Sequence, residues 1–313
     1  MKQNYMRKLA VTVAGIATIT MLVSCSAAGT TPEKTGSQAP TAPSYAPGAN
    51  AKIVPSDVKY LPNSVKDQGT LSAATTDGNA PWSFVDAQTN KPTGADVDIM
   101  NEVASRLGLK VNWSVVQFPA GIPGVQAGRY DFYLSAMADT KAREELVNFI
   151  AYSKEASGVI VPKGNPLNIK TLNDLCGKKV SIITGTLFTA FLADLNKKCT
   201  TPMTVSETPD QTAPKVAVAS GQADATLDTF GVSNYLFSTA TEGIQTKLEL
   251  APVAPFLPAK QGIVFDKKQA GLMTALAGSM QAMVKDGSYE KIMHKWKLNQ
   301  GGLPQIFINS PSF

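Results

Sequence analysis

Histidine is almost missing from this chain of 313 residues, which has one, His294, together with three cysteines, Cys25, Cys176 and Cys199. So few soft ligands exclude a multi-histidine or four-cysteine zinc site, and a single imidazole leaves little room for histidine-based nucleophilic catalysis. An excess of charge of one sign is lacking too. The net charge is +5, from 29 basic and 24 acidic side chains, but Lys2, Arg7 and Lys8 fall in a first stretch of 24 residues without an acid. Setting them aside leaves 26 basic against 24 acidic groups, +2, which is no basis for binding nucleic acid. With 43% apolar and 17% charged residues, the chain as a whole has the composition of a folded globular protein. Its length suits about two domains and rules against a fibrous or disordered polymer.

The basic start is followed by the apolar run 9–23, which reads as an export signal and is too short to span a bilayer with margin. Leu22-Val23-Ser24-Cys25 resembles a bacterial lipobox. That assigns 1–24 to a signal peptide and makes Cys25 a lipidated first residue. Each buried acyl methylene contributes about 0.8 kcal/mol, enough for two or three chains to tether a domain to a membrane surface. The segment 25–57 is rich in Ala, Ser, Thr and Gly, with prolines at Pro32, Pro40, Pro43, Pro47 and Pro55 and few large apolar residues. Such a segment cannot bury enough surface to offset its chain entropy, and it reads as a flexible leash.

From about residue 58 strand and helix signals alternate. Leu71 to Thr75 reads as a strand, and Val97, Met100, Val103, Ala104 and Leu107 form a helical stripe closed by Gly108. Val111, Trp113 and Val115 then alternate as a strand. The order recurs at Val159–Val161, at Lys179–Ile183 leading through Gly185-Thr186 into a helix from Leu187 to Leu195, and at Ala223–Leu227. Near the end, Gly262–Phe265 precedes helices marked by Leu272, Leu276, Met280 and Met283, and by Tyr289, Ile292, Met293 and Trp296. The alternation predicts α/β architecture, in two lobes rather than one barrel.

Several phrases carry a family resemblance: Gly69 to Thr75, Pro81-Trp82-Ser83-Phe84, Gly94 to Ile99, Phe118 to Asp131, Thr140-Lys141-Ala142-Arg143, and Asp286 to Leu298. Taken in order, they resemble the polar amino-acid-binding proteins of solute-binding protein family 3, which serve ABC importers. The resemblance implies a two-lobed periplasmic-binding-protein-like fold (type II) with two hinge crossings, near 153–158 and 257–261. Lobe 1 would then comprise 58–155 plus 260–313, and lobe 2 156–259. It also implies a monomer without catalysis or cofactor, facing away from the cytoplasm on either kind of membrane, that hands a small polar solute to a permease.

Residue by residue, Arg143 aligns with the family arginine that grips the ligand carboxylate, a planar fork lysine cannot copy. Gly185-Thr186-Leu187 resembles the turn whose N–H groups and hydroxyl meet the same carboxylate, and it also fits a plain helix N-cap. Phe118 falls where the family often has an aromatic over the ligand, or packs in the core. Ala138, after Met137, stands where the family often has a hydroxyl. Around Asn79 and Trp82 the register is open by one residue, so either Thr76 or Asp77 takes the family's acidic position. Asp228, or else Thr229, takes the place that meets the ligand's ammonium. These departures leave a carboxylate-bearing polar metabolite as the expected ligand, an amino acid or a relative of one. An enzyme resembling cyclohexadienyl dehydratase and a sensory binding protein are the alternative uses of the fold. Outside the cytoplasm, the remaining pair Cys176 and Cys199 predicts a disulfide.

Overall fold

The structure is a computed structural model that describes residues 58–239 and 243–313; the expected signal peptide 1–24, the lipidated Cys25 and the leash to residue 57 lie outside the described residues. The chain begins with α1 (Asn63–Gln68) and β1 (Thr70–Thr75). A short hairpin, β2 (Phe84–Val85) and β3 (Pro92–Thr93), leads into α2 (Ala95–Ser105), β4 (Lys110–Val115) and α3 (Gly121–Gln126). β5 (Phe132–Ala138), the single turn α4 (Lys141–Glu144) and the 15-residue β6 (Asn148–Pro162) follow. Then come β7 (Lys179–Ile183), α5 (Leu187–Asn196), β8 (Thr204–Thr208), α6 (Ala213–Ala219), β9 (Ala225–Thr229), α7 (Phe230–Thr239) and β10 (Leu248–Leu250). The chain returns through β11 (Phe256–Phe265) to α8 (Ala270–Asp286), α9 (Ser288–Lys295) and β12 (Gly302–Ile308).

Ten of the twelve described strands form one mixed sheet in the order β4-β1-β5-β11-β6-β9-β7-β8, with β10 and β12 also paired to β6, while β2 and β3 pair with each other. The first half is parallel across β4, β1 and β5, and the last across β9, β7 and β8. The antiparallel strands β11 and β6 join them. β6 shows why one strand serves both lobes. Asn148–Ser153 and Ser157–Val161 are buried, whereas between them Lys154 is exposed and Glu155 and Ala156 are half-buried. Each apolar stretch belongs to a different core, and the polar interval crosses the gap. On β11 the register shifts between Phe256 and Ala259, where Leu257 takes a left-handed φ of 46° that a branched side chain adopts only under local strain. The local apolar pattern marks only Val159–Val161 in β6 and Gly262–Phe265 in β11. Both are the ends of longer strands, because the polar stretches between the apolar runs stay paired: Lys154 faces Lys260, and Ser153 faces Gln261.

In the first half, Ile99, Met100 and Val103 of α2 pack with Leu272, Leu276 and Met280 of α8 and with Phe132 and Phe265 of the sheet. The opposite face is closed by Phe118, Val125, Tyr133 and Phe149. In the second half, Phe188 and Leu192 of α5 pack on Val180, Ile182 and Val159. Cys176 and Cys199 form the expected disulfide, with Cα atoms 5.4 Å apart, closing the β7–α5 unit. No described helix is long and apolar enough to cross a membrane.

Candidate functional site

Where β6 and β11 cross, the ends of β5, β7 and β9 face one another around a small cavity of about 60 Å³. Strand ends and helix starts meet there, so backbone N–H groups without helical partners collect at one place. After β5, Thr140 caps α4 by accepting the Arg143 N–H. That cap sets Arg143 back over its own strand, where Nη1 donates to the Ala138 carbonyl at 2.5 Å. Nη2 reaches across the cavity to the Gly185 carbonyl at 2.8 Å. A guanidinium has five N–H donors, so three remain for a ligand. Burial pulls the Arg143 pKa down to about 10, which leaves it fully charged at neutral pH. Among the described residues no carboxylate forms an ion pair with it.

Facing it, β7 ends in a turn where Gly185 has a φ of 76°, a conformation glycine adopts without strain. Thr186 sits at the N-cap position of α5, yet its hydroxyl donates back to the Ile183 carbonyl at 2.8 Å and caps nothing. The first N–H groups of α5 therefore receive no side-chain cap, and the positive end of the ten-residue helix faces the cavity beside Arg143. A guanidinium and a helix start on one cavity form a site for an anion.

The third wall is different. Asp228, at the end of β9, accepts the Thr229 N–H on Oδ1 at 2.8 Å and pairs through Oδ2 with Lys215 Nζ at 2.6 Å. Both side chains are buried, at 10% and 8% exposure. Lys215 Nζ also donates to the Gln211 carbonyl, and Gln211 Nε2 reaches Thr76 Oγ1 at 3.4 Å across the cavity. Glu155, in the crossing of β6, accepts Trp82 Nε1 and Gln261 Nε2 on one oxygen. Burial pushes its pKa from the ordinary 4.5 up to about 7. A Cβ at Gly231 would meet Glu155 Oε1, so a larger residue there would push this carboxylate aside. Behind the crossing strands a larger open groove of about 880 Å³ shares Glu155 and Ala259 with the cavity.

Of the residues singled out in the sequence, Arg143, Asp228, Thr186, Leu187, Phe118, Ala138 and Asn79 line the cavity. Phe118 also packs edge-on to Tyr133, with ring centroids 6.3 Å apart. Four others stand elsewhere. Asp77 is exposed and spends Oδ1 on the N–H groups of Gly78 and Val85, as a turn-holding aspartate does. Trp82 is fully buried in the α2–α8 core and touches the site only through Glu155. Met137 is buried in the cluster of Phe118, Val125 and Tyr133, beside the cavity but not on its wall. Thr76 lies just behind the wall, bonded to Ser83 and Ser135 hydroxyls. Lys215, Gln211, Glu155 and Gln261 were missed by sequence reasoning. Lys215 has the spacing of an ordinary helical surface charge, and Glu155 meets Gln261, 106 positions away, only because β6 and β11 pair as neighbouring strands. No described group of three His, Cys, Asp or Glu side chains could hold a metal ion.

The sequence profile of the bacterial extracellular solute-binding proteins, family 3, matches residues 71–299. The chain is 27% identical to the L-cystine-binding protein TcyA of Bacillus subtilis (strain 168) over 235 residues, which cover 74% of this chain and 83% of that one. It is 30% identical to the probable ABC transporter extracellular-binding protein YckB of the same organism over 232 residues, 73% and 78% of the two chains. Among solved structures, an ancestral amino acid-binding protein described as a precursor of cyclohexadienyl dehydratase superposes with a TM-score of 0.67 at 26% identity, covering 75% of this chain and 98% of that one. With its two lobes, its crossing strands and a profile match over most of its length, the chain belongs to the bacterial extracellular solute-binding proteins of family 3.

Proposed function

We propose that the protein is the lipid-anchored, extracytoplasmic receptor of an ABC importer, and that it encloses an amino acid or a similar small polar carboxylate between its lobes and delivers it to the permease. The observation that carries this reading is Arg143, charged and, among the described residues, in no ion pair with a carboxylate, next to the uncapped start of α5. A charged guanidinium half-buried at the joint of two lobes is costly unless an anion completes it. The hinge follows from the two crossing strands, with lobe 1 taken as 58–155 plus 260–313 and lobe 2 as 156–259. The ligand then acts as the clasp, with Arg143 holding it from lobe 1 and α5 from lobe 2. Cys25 holds the chain to the membrane, on whichever outward face the cell provides. Two of the relatives are named for cystine binding and for an ABC transporter, which fits this role.

The test is calorimetric titration of the purified chain with amino acids and polar carboxylates. Saturable 1:1 heat near micromolar affinity, about −8 kcal/mol, is the expected result. Membrane fractionation of cells carrying Cys25→Ala should find the chain released. Retention of that variant in the membrane would remove the anchor from the proposal, and an absence of heat with every carboxylate would remove the ligand class.

A further inference from the structure

Asp228 is the acidic side chain best placed to receive a ligand ammonium, and its charge is already balanced by a lysine. Its Oδ2 is paired with Lys215 at 2.6 Å, and its Oδ1 is held by the Thr229 N–H. Lys215 does not line the cavity; it stands behind Asp228, anchored a second time by the Gln211 carbonyl. It is therefore an internal counter-ion, not a group waiting to be displaced by solvent. The other acid on the cavity wall, Glu155, is bonded to Trp82 and Gln261. The remaining polar wall is neutral, from Asn79, Ser135, Ser157 and Thr229, and the rest is apolar, including Ile183, Phe188 and Leu257.

The charge balance follows. Arg143, Asp228 and Lys215 together leave one net positive charge around the cavity, and with Glu155 protonated, the form its burial favours, a single carboxylate neutralises that charge. A zwitterion would leave that charge in place and would bring its ammonium close to Lys215 in a poorly solvated space, where like charges repel strongly. We infer that the cavity selects small carboxylates whose α-carbon bears no ammonium, such as 2-oxo and 2-hydroxy acids, and that Lys215 sets this selectivity by occupying Asp228. The neutral amide and hydroxyl groups of the wall suit an α-keto or α-hydroxy oxygen, which accepts or donates without charge. This inference rests on the proposed carboxylate-receptor reading.

The experiment titrates the purified chain with the twenty common amino acids and with the 2-oxo and 2-hydroxy acid corresponding to each. At least one deaminated acid should bind about tenfold or more tighter than its amino counterpart. An amino acid that binds as tightly as its deaminated counterparts would overturn the inference and leave the receptor reading standing. Heat from neither series would sink the receptor reading and the inference with it. In Lys215→Met the freed Asp228 should move the preference at least tenfold toward the amino acid. A folded Lys215→Met protein with unchanged preference overturns the role of Lys215. Because that variant strands a buried carboxylate, Lys215→Met combined with Asp228→Asn provides a neutral pair of similar size. It should keep the wild-type preference for the 2-oxo acid, and a switch to the amino acid there would also overturn the assignment.

Discussion

The two halves of the sheet solve the same packing problem with different resources. The half that holds β4, β1 and β5 is covered by the long helix α8 together with α2 and α9, and its core joins Trp82, Tyr152, Phe132 and Phe265. The half that holds β9, β7 and β8 has short helices and a core of mostly aliphatic side chains around Phe188 and Phe256. It also has the disulfide, which ties the residue before β7 to the loop after α5. A smaller core buries a smaller share of its surface, so a covalent link contributes relatively more there. The cavity walls differ in the same sense. The first half presents a cation hydrogen-bonded to carbonyls, Arg143, whereas the second presents an anion already neutralised, Asp228 with Lys215 behind it.

Removing the disulfide should break the comparison most. Replacing Cys176 and Cys199 by serine opens a loop with a sequence separation of 23. The cost is about 3 kcal/mol on the loop-entropy account. Hydrogen exchange should show faster opening in β7, β8 and α5, with β1, β5 and α8 little changed. Uniform loss of protection in both halves would mean that the two cores unfold as one unit. Next in size is Arg143→Ala. It removes the one cavity cation without a carboxylate partner, and carboxylate affinity should fall about 100-fold, the scale for truncating one member of a desolvated charge pair. Thermal stability should change little, since Arg143 gives up only two bonds to carbonyls. An undiminished titration would place the carboxylate elsewhere.

The parts of this organisation that could be read in the sequence were those written in local chemistry. The stripe of α2, the alternation of β4 and the turn at Gly185 each follow from neighbouring residues, and so does the N-cap position of Thr186. Arg143 was found by resemblance, and the structure places it on the cavity wall. The continuity of β6 and β11 was not legible, because a polar interval inside a strand looks like a loop until its pairing partner is known. Lys215 was not legible for a related reason. Whether a lysine faces solvent or a buried aspartate thirteen residues later depends on how α6 lies on β9, which no local pattern records. Asp77 shows the ambiguity of a local motif: an acid beside a glycine is as well suited to holding a turn as to holding a ligand.

The smallest expected effect concerns the strand the two halves share. Glu155 lies in the polar interval of β6, on the wall of both the cavity and the groove behind it. Desolvation is the main cause of its raised pKa, about 7 against an ordinary 4.5, with the N–H donors of Trp82 and Gln261 opposing it. A carboxyl whose folded pKa lies above its unfolded value binds more proton in the folded state between those two values, so stability falls as pH rises from about 4.5 to 7 and then levels. Asp96 and Asp139, both raised to about 8 by burial, act in the same direction, so the pH profile of the wild type alone does not isolate Glu155. The difference between wild type and Glu155→Gln does isolate it, since the amide keeps an acceptor for Trp82 and cannot ionise. Urea unfolding at pH 5 and pH 8 should show the variant gaining on the wild type at the higher pH. The limit is about tenfold in the folding equilibrium per pH unit, and only across the interval below 7. A constant difference at both values would show that Glu155 meets enough solvent in the crossing to ionise at its ordinary pKa. The crossing would then be open to water from the groove side, and the polar break in β6 would be a hydrated joint between the two halves.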